Sequence, residues 1–176
     1  MPIRETPLHR EAQGAIIREW LEATGFHYTA LPLPPFSELD YMLVDPVPEG
    51  GTIMHRIIEA YAEVKHRPST KMLAHNSYMI SLHKVFAAKR LSVMTNKPVW
   101  LVIRWLDGLG WFNLASLFPP LDDGLVKVGG REDRGDGADV EPCAFLPLAK
   151  VNGEPYWGWT HVAKETPLDI PRSPET

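Results

Sequence analysis

Glu63, Val64 and Lys65 place a carboxylate and an ammonium two positions apart at the end of a strand-favouring run, Ile57 to Glu63, with Pro68 closing the segment. On a β-strand, residues i and i+2 project to one face, so Glu63 and Lys65 stand side by side and point the same way. Such a pair is either a surface ion pair or half of a reactive site. A second carboxylate, Asp40, lies 23 positions upstream of Glu63 in ELDYML, on a segment that reads as a neighbouring strand. Two carboxylates brought together at a sheet edge are costly unless a proton or a divalent cation neutralises them. Magnesium is the natural occupant, because it binds through one or two carboxylates with waters and substrate phosphate. A lysine beside it can orient the attacking water and offset charge on a phosphorane-like transition state. The chemistry to which this pattern points is hydrolysis of a phosphate ester.

Positioning these residues requires a sheet and elements to cover it. Pro7 to Thr24 reads as a helix, with Ile16 and Trp20 on one row, Ile17 and Leu21 on the next, and Gly25 as the stop. The prolines of FHYTALPLPPF enforce an extended path into ELDYMLVD, a strand over Glu38 to Asp45, and PVPEGG turns into a second strand from about Ile53 to His66. That second strand is long enough to be bent or bulged, and the two together predict an antiparallel pair. From Thr70 to Thr95 the spacing of Met72, Met79, Leu82, Phe86 and Val93 predicts one helix, ended by Asn96 and Pro98. Val99 to Trp105, VWLVIRW, reads as a strand covered on both faces, and LDGLGW as a hairpin turn into WFNLASL. The order helix, strand, strand, helix, strand, strand predicts an α/β fold with a mixed central sheet flanked by helices. Beyond Pro119 the texture becomes acidic and Gly-rich, with two short apolar runs that can pair as a peripheral hairpin. The expected division is a core over 1–118, a C-terminal β-hairpin extension over 119–164 and a mobile tail over 165–176.

Composition narrows the function classes. With 44% hydrophobic and 23% charged residues the chain of 176 residues is ordinary for a globular domain, and no apolar run approaches the roughly 20 residues that span a bilayer. The first residues carry charges of both signs and no apolar stretch, so a secretory signal is not expected and the cytoplasm is the expected location. The single cysteine, Cys143, forms no internal disulfide. No Cys/His spacing indicates zinc, and His66, His75 and His83 read as polar surface groups. The spacing of Asp133, Asp136 and Asp139 does not match a calcium loop. The net charge of −4 hides a segregation: Val64 to Leu106 holds no Asp or Glu and carries +8, the remainder −12. A polyanion is drawn to such a stretch, unless its cations are paired with acidic residues elsewhere in the fold.

With these residues in view the chain resembles the PD-(D/E)XK nuclease superfamily, the restriction-endonuclease-like fold, over roughly residues 8 to 115, in its phage or mobile-element type. That family has a helix often carrying a glutamate, a strand with a metal-binding aspartate, a strand ending in (D/E)XK, then a helix and further strands. Asp40 matches the aspartate, although Leu39 stands where the motif has proline. Glu63 and Lys65 match (D/E)XK, and Glu11 is the best match for the helix glutamate, with Glu19 and Glu22 competing and Asp45 an alternative to Asp40. The resemblance implies a Mg²⁺- or Mn²⁺-dependent deoxyribonuclease: Asp40, Glu63 and the Val64 carbonyl hold the metal, Lys65 assists the water, and Arg67, Lys71 and Lys84 meet DNA. A homodimer is left open, and no membrane is implied. A nuclease fold retained only for nucleic-acid binding or phage assembly is the rival reading, and a small-molecule enzyme with Glu63 or a histidine as base is a more distant third.

Overall fold

Apolar residues at helical spacing build the first element. Ile16, Ile17 and Trp20 are buried along one side of α1 (Pro7–Thr24), the row that the sequence picks out. Gly25, at φ +68°, ends the helix in the left-handed conformation that costs glycine little. The structure, a computed structural model, describes residues 7–34, 37–46, 56–68, 77–117, 126–129, 140–147 and 160–163.

The strands that follow are β1 (Thr29–Pro32), β2 (Tyr41–Val44), β3 (Ile58–His66), β4 (Ser77–Ser81), β5 (Val99–Trp105) and β6 (Gly108–Asn113). The C-terminal part adds β7 (Val126–Gly129), β8 (Glu141–Pro147) and β9 (Thr160–Ala163). The main sheet runs β1-β2-β3-β5-β6-β9, with β3 and β5 parallel and the other neighbours antiparallel. It is therefore the mixed sheet that the element order predicts. Opposite Leu43 and Val44 the register skips Glu59, a bulge in the long strand β3.

Alternation along β3 divides the core in two. Ala60, Ala62 and Val64 face α1 and pack with Ile16, Ile17 and Trp20, together with Tyr41, Leu43 and Val102. Tyr61 faces the opposite way and packs with Leu101, Ile103, Trp105, Phe112 and the second helix, α2 (Leu82–Thr95), through Val85 and Ala88. Glu63 and Lys65 share the face of Tyr61, so the two charged residues stand on the α2 side of the sheet.

The single helix expected over 70–95 is corrected. Ser77–Ser81 is a strand, in which Tyr78 and Ile80 are buried and their neighbours are partly exposed, a period of two. β4 pairs with β8, and β8 with β7, in a second three-stranded sheet packed on the α2 side of the core. The helix starts only where the Ser81 hydroxyl accepts the backbone N–H of His83 at 3.2 Å as an N-cap. Its end agrees with the sequence: Asn96 sits at φ 54° and Pro98 follows. The expected apolar stripe does not face the core, since Phe86 and Val93 are exposed while Val85, Ala87 and Ala88 are buried. β6 ends at Asn113 rather than running to Leu117, because the Asn113 side chain accepts the N–H of Ala115 and starts a 3₁₀ turn over Leu114–Leu117. Lys71, His75, the three aspartates Asp133, Asp136 and Asp139, and the tail over 165–176 lie outside the described residues.

Candidate active site

The β2–β3 register pairs Tyr41 with Ala62, which carries Asp40 to the position opposite Glu63 just beyond the end of β2. Two contacts fix Asp40 there. Its N–H donates to the Ala62 carbonyl at 3.1 Å, and its Oδ2 accepts the N–H of Val64 at 2.7 Å. The Val64 peptide thus lies at the sheet edge where β2 has stopped, with its N–H turned to a carboxylate instead of a strand. Glu63 is 0% exposed and held between two ammonium groups: Lys65 Nζ is 2.7 Å from Oε1 and Lys84 Nζ is 3.2 Å from Oε2. Lys84 reaches across from the first turn of α2 and also donates to the Glu38 carbonyl at 2.6 Å.

The electrostatics record the crowding. Burial and the neighbouring charge of Glu63 push the Asp40 carboxyl up to about 6, against the opposing effects of Lys65, the Val64 N–H and Lys84. For Lys65, burial works against the ammonium, but the charges of Glu63 and Asp40 outweigh it and the net shift is upward. Lys65 therefore stays a cation at neutral pH.

The residues fit a divalent cation on two grounds. Glu63 Oε1 is buried, and the Lys65 contact on it is an ion pair without the alignment of a hydrogen bond, so this oxygen keeps an unfilled valence. Asp40, in turn, is pressed toward protonation by its carboxylate neighbour. Among the described residues no three His, Cys, Asp or Glu side chains converge, so the carboxylates of Asp40 and Glu63 stand as a pair and not as part of a larger cluster. That donor set suits an ion that keeps several waters.

The other candidates fall in different places. Glu11 is exposed on α1, whereas its neighbours Arg10 and Gln13 line a cleft of about 170 Å³ together with Leu33, Ser37 and Asp40. The α1 residues that share this cleft with Asp40 are thus Arg10 and Gln13, which a search for a carboxylate passes over. Glu19 is nine-tenths buried on the other face of the sheet, 3.2 Å from Arg104, and Glu22 is exposed. Asp45 binds the N–H of Ile57 at 3.1 Å and stands 3.7 Å from Arg56, tying the far ends of β2 and β3.

Much of the +8 stretch is engaged by acidic partners. Lys65 and Lys84 pair with Glu63, Arg90 with Glu38, Lys97 with Glu59 and Arg104 with Glu19. Arg67 is different: its Nη2 donates to the Tyr78 hydroxyl at 3.0 Å and its guanidinium lies 5.2 Å from the centre of that ring. Tyr78 is a residue of the site that the sequence did not single out, because the segment holding it reads as helix. Its alternation with Ile80 is the signal that marks it as a strand residue.

The profile of the family described as "Phage putative PDDEXK endonuclease" matches residues 2–153. No curated protein matches the chain. Among solved structures it is similar to Hjc of Archaeoglobus fulgidus, described as a Holliday junction resolvase from an archaeal hyperthermophile. The identity is 13%, the match covers 64% of this chain and 85% of that chain, and the TM-score is 0.39. The profile spans most of the chain and includes both charged strands, and on it the chain belongs to the family described as phage putative PDDEXK endonuclease.

Proposed function

We propose that the chain is a divalent-metal-dependent deoxyribonuclease whose centre is Asp40, Glu63 and Lys65. The observation that carries this reading is the β2–β3 register, which sets Asp40 opposite Glu63 at the end of a strand and leaves Lys65 on the same face. Asp40 and Glu63, with the Val64 carbonyl, would hold Mg²⁺ or Mn²⁺, which when bound polarises the phosphate and lowers the pKa of water. Lys65 would hold the attacking water by hydrogen bonding and offset the negative charge that grows on the phosphate oxygens, a role that its persistent positive charge suits. In the net reaction water gives its hydroxyl to phosphorus and its proton to the leaving oxygen, and one P–O ester bond breaks. Glu63 also fixes the Lys65 ammonium, so the carboxylate and the lysine act as a unit. Lys84, directed at Glu63, would keep that carboxylate in place, and Gln13 stands in the adjoining cleft where α1 meets Asp40.

The test is cleavage of single-stranded, duplex and branched DNA with Mg²⁺, with Mn²⁺ and with EDTA, using the unmodified protein and Lys65→Ala. Cutting should require the cation, and Lys65→Ala should cut about 100-fold more slowly, a loss on the order of 3 kcal/mol of transition-state stabilisation, while DNA affinity changes little. If the unmodified protein binds DNA in a salt-sensitive way yet cuts no form of it, the chain is a binding or assembly module instead. Cutting that persists in EDTA would remove the metal from the mechanism.

A further inference from the structure

We infer that Arg67 grips the phosphodiester next to the scissile one, and that Tyr78 is the positioning residue that holds its guanidinium for this contact. The inference rests on the nuclease reading and adds to it the path of the DNA strand along β3 and a residue, Tyr78, that shapes it.

The strand sets the spacing. The Arg67 N–H donates to the Arg104 carbonyl at 2.8 Å, so the ladder with β5 continues past the last residue of β3. Glu63, Lys65 and Arg67 therefore form one row of alternate residues on the α2 side of the sheet. Two residues of strand span roughly 6.6 Å, comparable to the separation of neighbouring phosphates along one nucleic-acid strand. A backbone whose scissile phosphate lies at Lys65 thus brings its next phosphate to Arg67.

The surroundings of Arg67 suit that contact. Lys65, Lys84, Arg90, Lys97 and Arg104 each face a carboxylate, but among the described residues no carboxylate pairs with Arg67. Its partner is neutral. The Tyr78 hydroxyl accepts one N–H of Nη2, and the ring lies against the guanidinium. Among the described residues this leaves the charge without a carboxylate and other N–H groups of the planar fork for an anion. Tyr78 is itself fixed: it is buried, and its ring meets Trp105 edge to face at a centroid distance of 6.4 Å and an angle of 87°. A flexible side chain is thus held in one orientation before substrate arrives, which lowers the entropy lost on binding.

The experiment measures DNA affinity in EDTA as a function of salt, and kcat and KM with the metal, for the unmodified protein, Tyr78→Phe, Arg67→Met and the double variant. Tyr78→Phe keeps the ring, its packing on Trp105 and the contact with the guanidinium, and deletes only the hydroxyl. It should weaken DNA binding about fivefold and raise KM by the same factor with kcat unchanged. Arg67→Met should weaken binding further and flatten the log–log salt dependence by roughly one unit. In the double variant, affinity should equal that of Arg67→Met alone, because Tyr78 acts through Arg67. Two results overturn the inference while leaving the nuclease reading intact: Tyr78→Phe matching the unmodified protein, or a full further loss on adding Tyr78→Phe to Arg67→Met. An unmodified protein that neither binds nor cuts DNA overturns the nuclease reading, and this inference with it.

Discussion

Asp40 is the residue at which the site's internal tension can be measured. Its carboxyl is raised from 3.8 to about 6 by burial and by the charge of Glu63. A group whose folded value lies above its unfolded one stabilises the fold fully below the unfolded value, and that contribution is lost as pH rises through the folded value. The metal-free protein should therefore lose stability between about pH 4 and pH 7 on account of Asp40. Asp40→Asn keeps an oxygen for the Val64 N–H and carries no charge. In EDTA at pH 7.5 it should be the more stable of the two by roughly 3 kcal/mol, with the difference fading toward pH 4. Urea denaturation across that range is the measurement, and parallel curves for the two proteins would dismiss the strain at Asp40. Glu63 and Lys84 illustrate the same scale from the other side. A buried carboxylate draws two ammonium groups to it, and the lysine that looked outward in the sequence is turned inward by the partner it finds.

At the scale of the element, α2 decides where Lys84 stands, and Ser81 decides where α2 begins. The hydroxyl of Ser81 caps the N–H of His83 and donates to Glu141 Oε2 at 2.7 Å, so one side chain starts the helix and fastens it to β8. Ser81→Ala should cost about 1 kcal/mol, visible as a lower urea midpoint at unchanged m-value. A midpoint that does not move would mean that the helix is positioned by the packing of Val85, Ala87 and Ala88 alone. The helical spacing of Met79, Leu82 and Phe86 misled the reading of this segment because a two-residue and a 3.6-residue period share positions over so short a stretch. Tyr78 and Ile80 are buried by pairing with β8, a partner some 65 residues further on, and local periodicity carries no trace of that partner.

At the scale of the whole molecule, the C-terminal strands are bound into the fold. β8 lines the only described flank of β4 and sends Ala144 and Leu146 into the core that Tyr78, Ile80 and Val85 share, while β9 covers the edge of the main sheet at β6. A chain ending at residue 118 should lose at least about 3 kcal/mol of stability, from the exposure of those side chains and of two strand edges. Thermal unfolding and size-exclusion chromatography of the shortened chain are the check, and a shortened chain that stays monomeric and melts with the full one would make residues 1–118 a self-sufficient unit.

Local signals along the chain were enough for several elements: α1 from its apolar rows and Gly25, β5 from its β-branched run, the β5–β6 hairpin from Asp107 and Gly108, and the end of α2 from Asn96 and Pro98. They also singled out Asp40, Glu63 and Lys65 as candidates, because a carboxylate and an ammonium on alternate residues of an apolar strand conflict with burial unless a partner compensates. Which residues surround that trio was left to the packing of the folded chain. Register placed Asp40 opposite Glu63, the rotation of α1 turned Gln13 and not Glu11 toward the cleft, and the second sheet brought Tyr78 to Arg67. Each of these depends on how far an element is turned or slid against another, a quantity fixed by packing between residues distant in the chain and absent from the spacing along it.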